Sequence, residues 1–162
     1  MRKNHLSIFF FLSVIIGYSQ KNNSIIGEWK VITVESENFY LKTTNNPISL
    51  SKKYTENHTN QAEVQNYTEK IKLAYLNNIF FFDKYGNFNQ TSDLAVFKSK
   101  YKINYAKSLI EVKDTGLKGE NISFEMPFKI EKNILFIRLI ESSTKFVLIR
   151  VENQMASENV NK

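Results

Sequence analysis

The chain has 162 residues, of which 42% are apolar and 23% charged, and it contains no cysteine. This composition excludes wholesale disorder, and the missing thiols exclude disulfide scaffolds, cysteine-ligated metal centres, thiol catalysis and cysteine lipidation. The formal charge of +6 includes Arg2 and Lys3, and the cations divide into 19 lysines and three arginines, a skew that an AT-rich coding sequence explains without any anionic partner.

Residues 1–19 begin with a short cationic stretch, continue through an apolar run at 6–17 (LSIFFFLSVIIG) and end on the small residues Gly17 and Ser19. This is the three-part pattern of a signal peptide cleaved after Ser19. As a helix, twelve apolar residues reach only about 18 Å, against a hydrocarbon core of roughly 30 Å, so the run is too short to stay as an anchor. The expected organisation is therefore an export signal at 1–19, one domain at 20–152 and a polar tail at 153–162, with no integral membrane segment after cleavage. The address is periplasm, cell surface or the extracellular medium.

Residues 25–34 alternate as a first strand, with Ile25, Gly27, Trp29 and Val31 on one face and Ile26, Glu28, Lys30, Ile32 and Val34 on the other. Residues 43–59 are polar and rich in turn formers, which reads as a lid or a mobile insertion. Val64, Tyr67, Ile71 and Ala74 then recur at helical spacing and predict one amphipathic helix over 61–77, so the insertion spans 43–77. Strands follow at 78–83 and 88–91 around the turn Lys84-Tyr85-Gly86-Asn87, then at 97–105, 109–113, 122–130, 133–140 and 145–152. The strongest period-2 signal runs through Ile122, Phe124, Met126, Phe128 and Ile130, and Pro127 on the opposite face predicts a sheet edge or a bulge.

Short strands joined by hairpin turns, with one early helix and no βαβ alternation, predict a mainly β protein. The expected architecture is an antiparallel up-and-down barrel of about eight strands with one helix inserted after the first. Phe97, Tyr101, Ile103, Tyr105, Phe124, Met126 and Phe128 occupy alternate positions of its longer strands and are the candidate lining of a ligand cavity. The same side chains could instead fill the barrel. Lys98, Lys100 and Lys102 alternate with Phe97 and Tyr101 as a solvated strand face, and the scarcity of arginine argues against a nucleic-acid partner.

Ile26-Gly27-Glu28-Trp29, the stretch Phe80-Phe81-Phe82-Asp83-Lys84-Tyr85-Gly86-Asn87-Phe88, and Arg150 within Phe146-Val147-Leu148-Ile149-Arg150-Val151 together resemble the bacterial secreted lipocalin-like domain family over about residues 25–152. The resemblance implies that Trp29 sits at the closed end of the barrel with Arg150 packed across its indole, as a structural pair. The chain differs from the usual secreted pattern in lacking cysteine and in its long insertion. One histidine, His58, follows the signal, too few for a triad or a histidine metal site, and no glycine-rich phosphate loop or nucleophile elbow occurs. The expected function is a secreted, non-enzymatic binding protein for a small hydrophobic or amphipathic ligand, needing no cofactor or metal. The alternative is a protein-interaction or inhibitor module with a filled barrel and the insertion as its contact surface, its partner unknown.

Overall fold

The structure, a computed structural model, describes residues 24–45, 47–115 and 121–151. The expected signal peptide, the turn glycines Gly116 and Gly119 and the polar tail lie outside the described residues. Those described form β1 (Gly27–Glu35), β2 (Phe39–Lys42), β3 (Ile48–Leu50), α1 (Lys52–Asn57) and α2 (Gln61–Tyr75). There follow β4 (Ile79–Phe82), β5 (Asn87–Thr91), β6 (Val96–Asn104), β7 (Leu109–Thr115), β8 (Asn121–Glu131), β9 (Ile134–Arg138) and β10 (Lys145–Arg150). Each strand from β4 to β10 pairs antiparallel with the next, and β10 returns to β1, so β1 and β4–β10 close an eight-strand barrel. The mainly β, up-and-down architecture expected from the strand spacing is the one observed.

Strand β1 shares one edge between two partners. Gly27–Lys30 pair with β4 and Thr33–Glu35 with β2, while β10 follows β1 from Trp29 to Glu35. The handover falls at a register irregularity between Val31 and Thr33. Strict alternation puts Val34 opposite Trp29 and Val31; the irregularity turns it back, and all three side chains are fully buried together. Backbone groups freed there find other partners. The Val31 amide donates to Asn78 O at 3.0 Å, the Thr43 amide to Ile32 O at 3.0 Å, and Thr43 Oγ1 to Val31 O at 2.9 Å.

The insertion is more structured than a lid and one helix. It opens with β3, which forms a hairpin with β2 just before it, continues through α1, capped by Ser51 Oγ accepting from the Tyr54 amide at 3.1 Å, and ends in α2, capped by Asn60 Oδ1 accepting from the Ala62 amide at 3.0 Å. On α2 the expected stripe is the covered one: Ile71 is buried and Val64, Tyr67 and Ala74 are half-buried. Tyr75 sits 5.9 Å from Phe146 and 5.6 Å from Phe39 between ring centroids, docking the helix on the barrel.

The β4–β5 turn is built around Asp83, whose Oδ1 accepts from the Tyr85 and Asn87 amides at 2.8 Å each. Gly86 takes φ +80° there, and a Cβ would meet Tyr101 O at 3.2 Å. Pro127 stands where β8 runs past the end of β9. The Phe128 amide donates to Ser108 O on the β7 side, so the missing donor of Pro127 faces the other way, one residue beyond the first β8–β9 pair, Phe128 with Ile137.

The core is aromatic. Phe80, Phe82, Phe88 and Phe146 are each at most 2% exposed, with ring centroids 4.8 Å apart for Phe82–Phe88, 5.5 Å for Phe80–Phe88 and 5.4 Å for Phe80–Phe146. Each such burial contributes about 1.5–3 kcal/mol relative to an exposed ring. These rings pack the half of the barrel bounded by β1, β4, β5 and β10.

Candidate functional site

The opposite wall of the barrel, formed by β6, β7 and β8, is covered unevenly. Of the seven candidate lining residues, Met126 and Tyr101 are buried, whereas Phe97, Ile103, Phe124 and Phe128 are only half-buried. Phe97 and Phe124 face each other across the wall at 6.2 Å, and Phe97 meets the packed half through Phe88 at 6.1 Å. Tyr101 belongs to the scaffold. Its ring lies edge-on to Phe82 at 5.1 Å, its hydroxyl donates to Asp83 O at 2.6 Å, and burial, then the Asp83 carboxylate and Tyr105, push its phenol up to about 12.

Tyr105 does not line the interior. Alternation in the sequence carries on to it, but β6 ends at Asn104, whose Oδ1 accepts from the Lys107 amide at 3.1 Å and shapes the turn. Ser108 follows at φ 50°, and Tyr105 is left 59% exposed, its ring edge-on to Phe128 with centroids 6.1 Å apart. Lys98, Lys100 and Lys102 are exposed on the outer side of β6. His58 follows α1, stacked on Tyr54 at 4.1 Å, with Nδ1 2.9 Å from Tyr54 O.

The sequence reading passed over a groove of about 460 Å³ on the outside of the barrel, across β1, β10, β9 and β8. Phe146, Leu148, Leu135 and Ile137 point inward and are buried, so their alternates face out. Strand registers align Thr33, Val147, Phe136 and Lys129 in one outward row and Glu35, Lys145 and Arg138 in the next. The floor is apolar and the rim is cationic. A signal for it exists in the sequence: β9 (ILFIR) and β10 (KFVLIR) carry apolar residues on both alternate faces, more than one core can absorb.

Where the chain enters and leaves the barrel, Trp29 and Arg150 are cross-strand partners, and the guanidinium lies 4.2 Å above the indole. Arg150 Nη1 donates to Ile26 O at 2.8 Å and Nη2 to Ser24 O, while Trp29 Nε1 donates to Ile25 O at 2.7 Å. Gly27 makes room: at φ +133°, a Cβ would stand 2.8 Å from Arg150 Nη1. One guanidinium thus holds the lead-in segment and the last strand together. Burial draws its pKa below the usual arginine value.

No family model matches the chain, and no curated protein matches it. The crystal structure of a DUF4847 family protein from Bacteroides vulgatus ATCC 8482 is similar to it with a TM-score of 0.46 and 9% identity, covering 85% of this chain and 99% of that one. No helix among the described residues is long and apolar enough to cross a membrane.

Proposed function

We propose that the chain is an exported, non-enzymatic, lipocalin-like binding protein whose barrel takes a small hydrophobic or amphipathic ligand against the β6–β8 wall. The observation that carries this is the asymmetry of cover inside the barrel. Inward side chains of β1, β4, β9 and β10, such as Trp29, Phe80, Leu135 and Leu148, are at most 1% exposed, while Phe97, Ile103, Phe124 and Phe128 keep part of their surface open. An apolar molecule covering that surface gains the free energy of removing both surfaces from water. The site needs no cofactor for this.

Titration with the neutral fluorophore N-phenyl-1-naphthylamine tests the reading. Saturable binding is expected, weakened at least about tenfold by Phe97→Ser or Phe124→Gln, because each puts a polar group where the probe lies. Equal affinity in folded variants and the unsubstituted protein overturns it. The tight packing of Phe80, Phe82, Phe88 and Phe146 favours the alternative, a filled barrel serving protein interaction, and that reading expects no probe binding at all.

A further inference from the structure

We propose that the outer groove across β1, β10, β9 and β8 is a second binding site, for a small amphipathic carboxylate whose apolar body rests on Phe136 and Val147 and whose head group pairs with Arg138. The site lies on the outer side of the sheet, although Phe128, Ile137 and Phe146, whose side chains the alternation turns inward, also border it, and it does not depend on the function proposed for the interior.

Its size fits a small molecule. At about 460 Å³ the groove falls within the roughly 300–1,000 Å³ of small-molecule sites. Its floor is the row Val147–Phe136, half-buried although it faces away from the core, with Ile134 and Ile149 outward in the neighbouring row. Outward apolar side chains placed side by side on adjacent strands offer an acyl or aryl body a continuous surface.

The charges on the rim select the head group. Arg138 and Lys145 are direct cross-strand partners, an arrangement of like charges that costs stability unless something neutralises it. Lys145 is neutralised by Glu35 at 2.7 Å, and Lys129, also at the groove, by Glu131. Arg138 is exposed and has no ion pair among the described residues. Only two arginines are described, and the fork of Arg150 is already spent on the carbonyls of Ile26 and Ser24. The fork of Arg138 is open at the end of an apolar floor. A planar guanidinium in that position suits a carboxylate, which it can hold through two parallel hydrogen bonds.

Calorimetric titration of the full chain with monomeric sodium octanoate, at low ionic strength, tests this beside 1-octanol, butyrate and anionic phospholipid vesicles. Octanoate should bind more tightly than the neutral alcohol or the short acid. Arg138→Gln, a change at an exposed position, should weaken octanoate roughly tenfold or more and leave 1-octanol unchanged. Val147→Asp should abolish the Arg138-dependent part of octanoate binding, which the interior substitution Phe124→Gln should not change. Amide shift perturbations should centre on β9 and β10. The proposal is overturned if octanoate and octanol bind alike, if Arg138→Gln has no effect, if the shifts fall on β6 and β8 and none on β9 and β10, or if only vesicles bind. The Phe124→Gln and Arg138→Gln responses tell a failure here from a failure of the interior site.

Discussion

Substituting Gly27 by alanine tests how the chain closes its barrel, because the new methyl group meets a cation that cannot move freely. The Cβ would lie 2.8 Å from Arg150 Nη1, the far end of a flexible side chain that would ordinarily swing aside at little cost. Here the guanidinium is held by the Trp29 ring at 4.2 Å and by the carbonyls of Ile26 and Ser24. Giving way forfeits a charge-assisted hydrogen bond, about 1.5–3 kcal/mol, and a cation–π contact, about 0.5–1 kcal/mol. An alanine at φ +133° adds backbone strain of about 1–3 kcal/mol. The expected cost of Gly27→Ala is therefore about 3–7 kcal/mol, read from urea unfolding midpoints. In an Arg150→Met background only the strain remains, so the two substitutions should couple by about 2–4 kcal/mol in a double-mutant cycle. Additivity within about 0.5 kcal/mol would refute the reasoning, since it would mean that the guanidinium does not occupy the space above Gly27.

Two further expectations concern the β4–β5 turn and the insertion. Burial raises the Asp83 carboxyl, but hydrogen bonds from the Asn87 side chain and from the Asn87 and Tyr85 amides, with Lys100 nearby, together hold it below its ordinary value. Its contribution is complete above the unfolded-state pKa and is lost as pH falls through the lower folded-state value. Asp83→Asn should therefore flatten the acid side of the stability profile, and an unchanged slope in urea unfolding would count against it. In hydrogen exchange, α1, which buries no residue, should exchange well before the turn of α2 around Ile71, which is 3% exposed; equal protection would show that α1 is packed.

Most of the barrel was legible because its strands alternate. Residues 122–130 and the Gly86 turn specify face and direction without help from neighbours, and the α2 stripe shows which side of the helix is covered. Strands β2 and β3, of four and three residues, are too short to establish a period against a polar background. The irregularity in β1 left no mark either. Val31, Ile32, Thr33 and Val34 are all β-branched and suit either face, so only pairing to β10 and β2 shows that Val34 turns inward. Tyr105 misled for a related reason: alternation in sequence persists beyond the last residue that pairs. The outer groove stayed hidden because in β9 and β10 both faces are apolar, and neither can be named as inward until closure onto β1 fixes it.

The same edge-sharing in β1 constrains how a ligand could reach the interior. A lid moving as one piece over residues 43–77 would have to strip the Thr43 amide from Ile32 O, break the Val31–Asn78 bond at the end of α2 and part Tyr75 from Phe146. Asn78 strengthens that joint: it is 1% exposed, and its Nδ2 donates to Ala74 O at 3.0 Å, tying the last turn of α2 to the start of β4. Helix α2 therefore belongs to the barrel, and opening it would expose the aromatic core around Phe39 and Phe146. Helix α1 is tied at its N-cap alone, where the Ser51 amide donates to Asn38 O at 2.8 Å. Beyond it stand the stack of Tyr54 on Tyr67 at 4.4 Å and an exposed ion pair from Lys53 to Glu37, which local opening can break at small cost. If the β6–β8 wall takes a ligand, α1 is thus the part of the insertion freer to move for it, while α2 stays docked on the barrel through Tyr75 against Phe146 and Phe39.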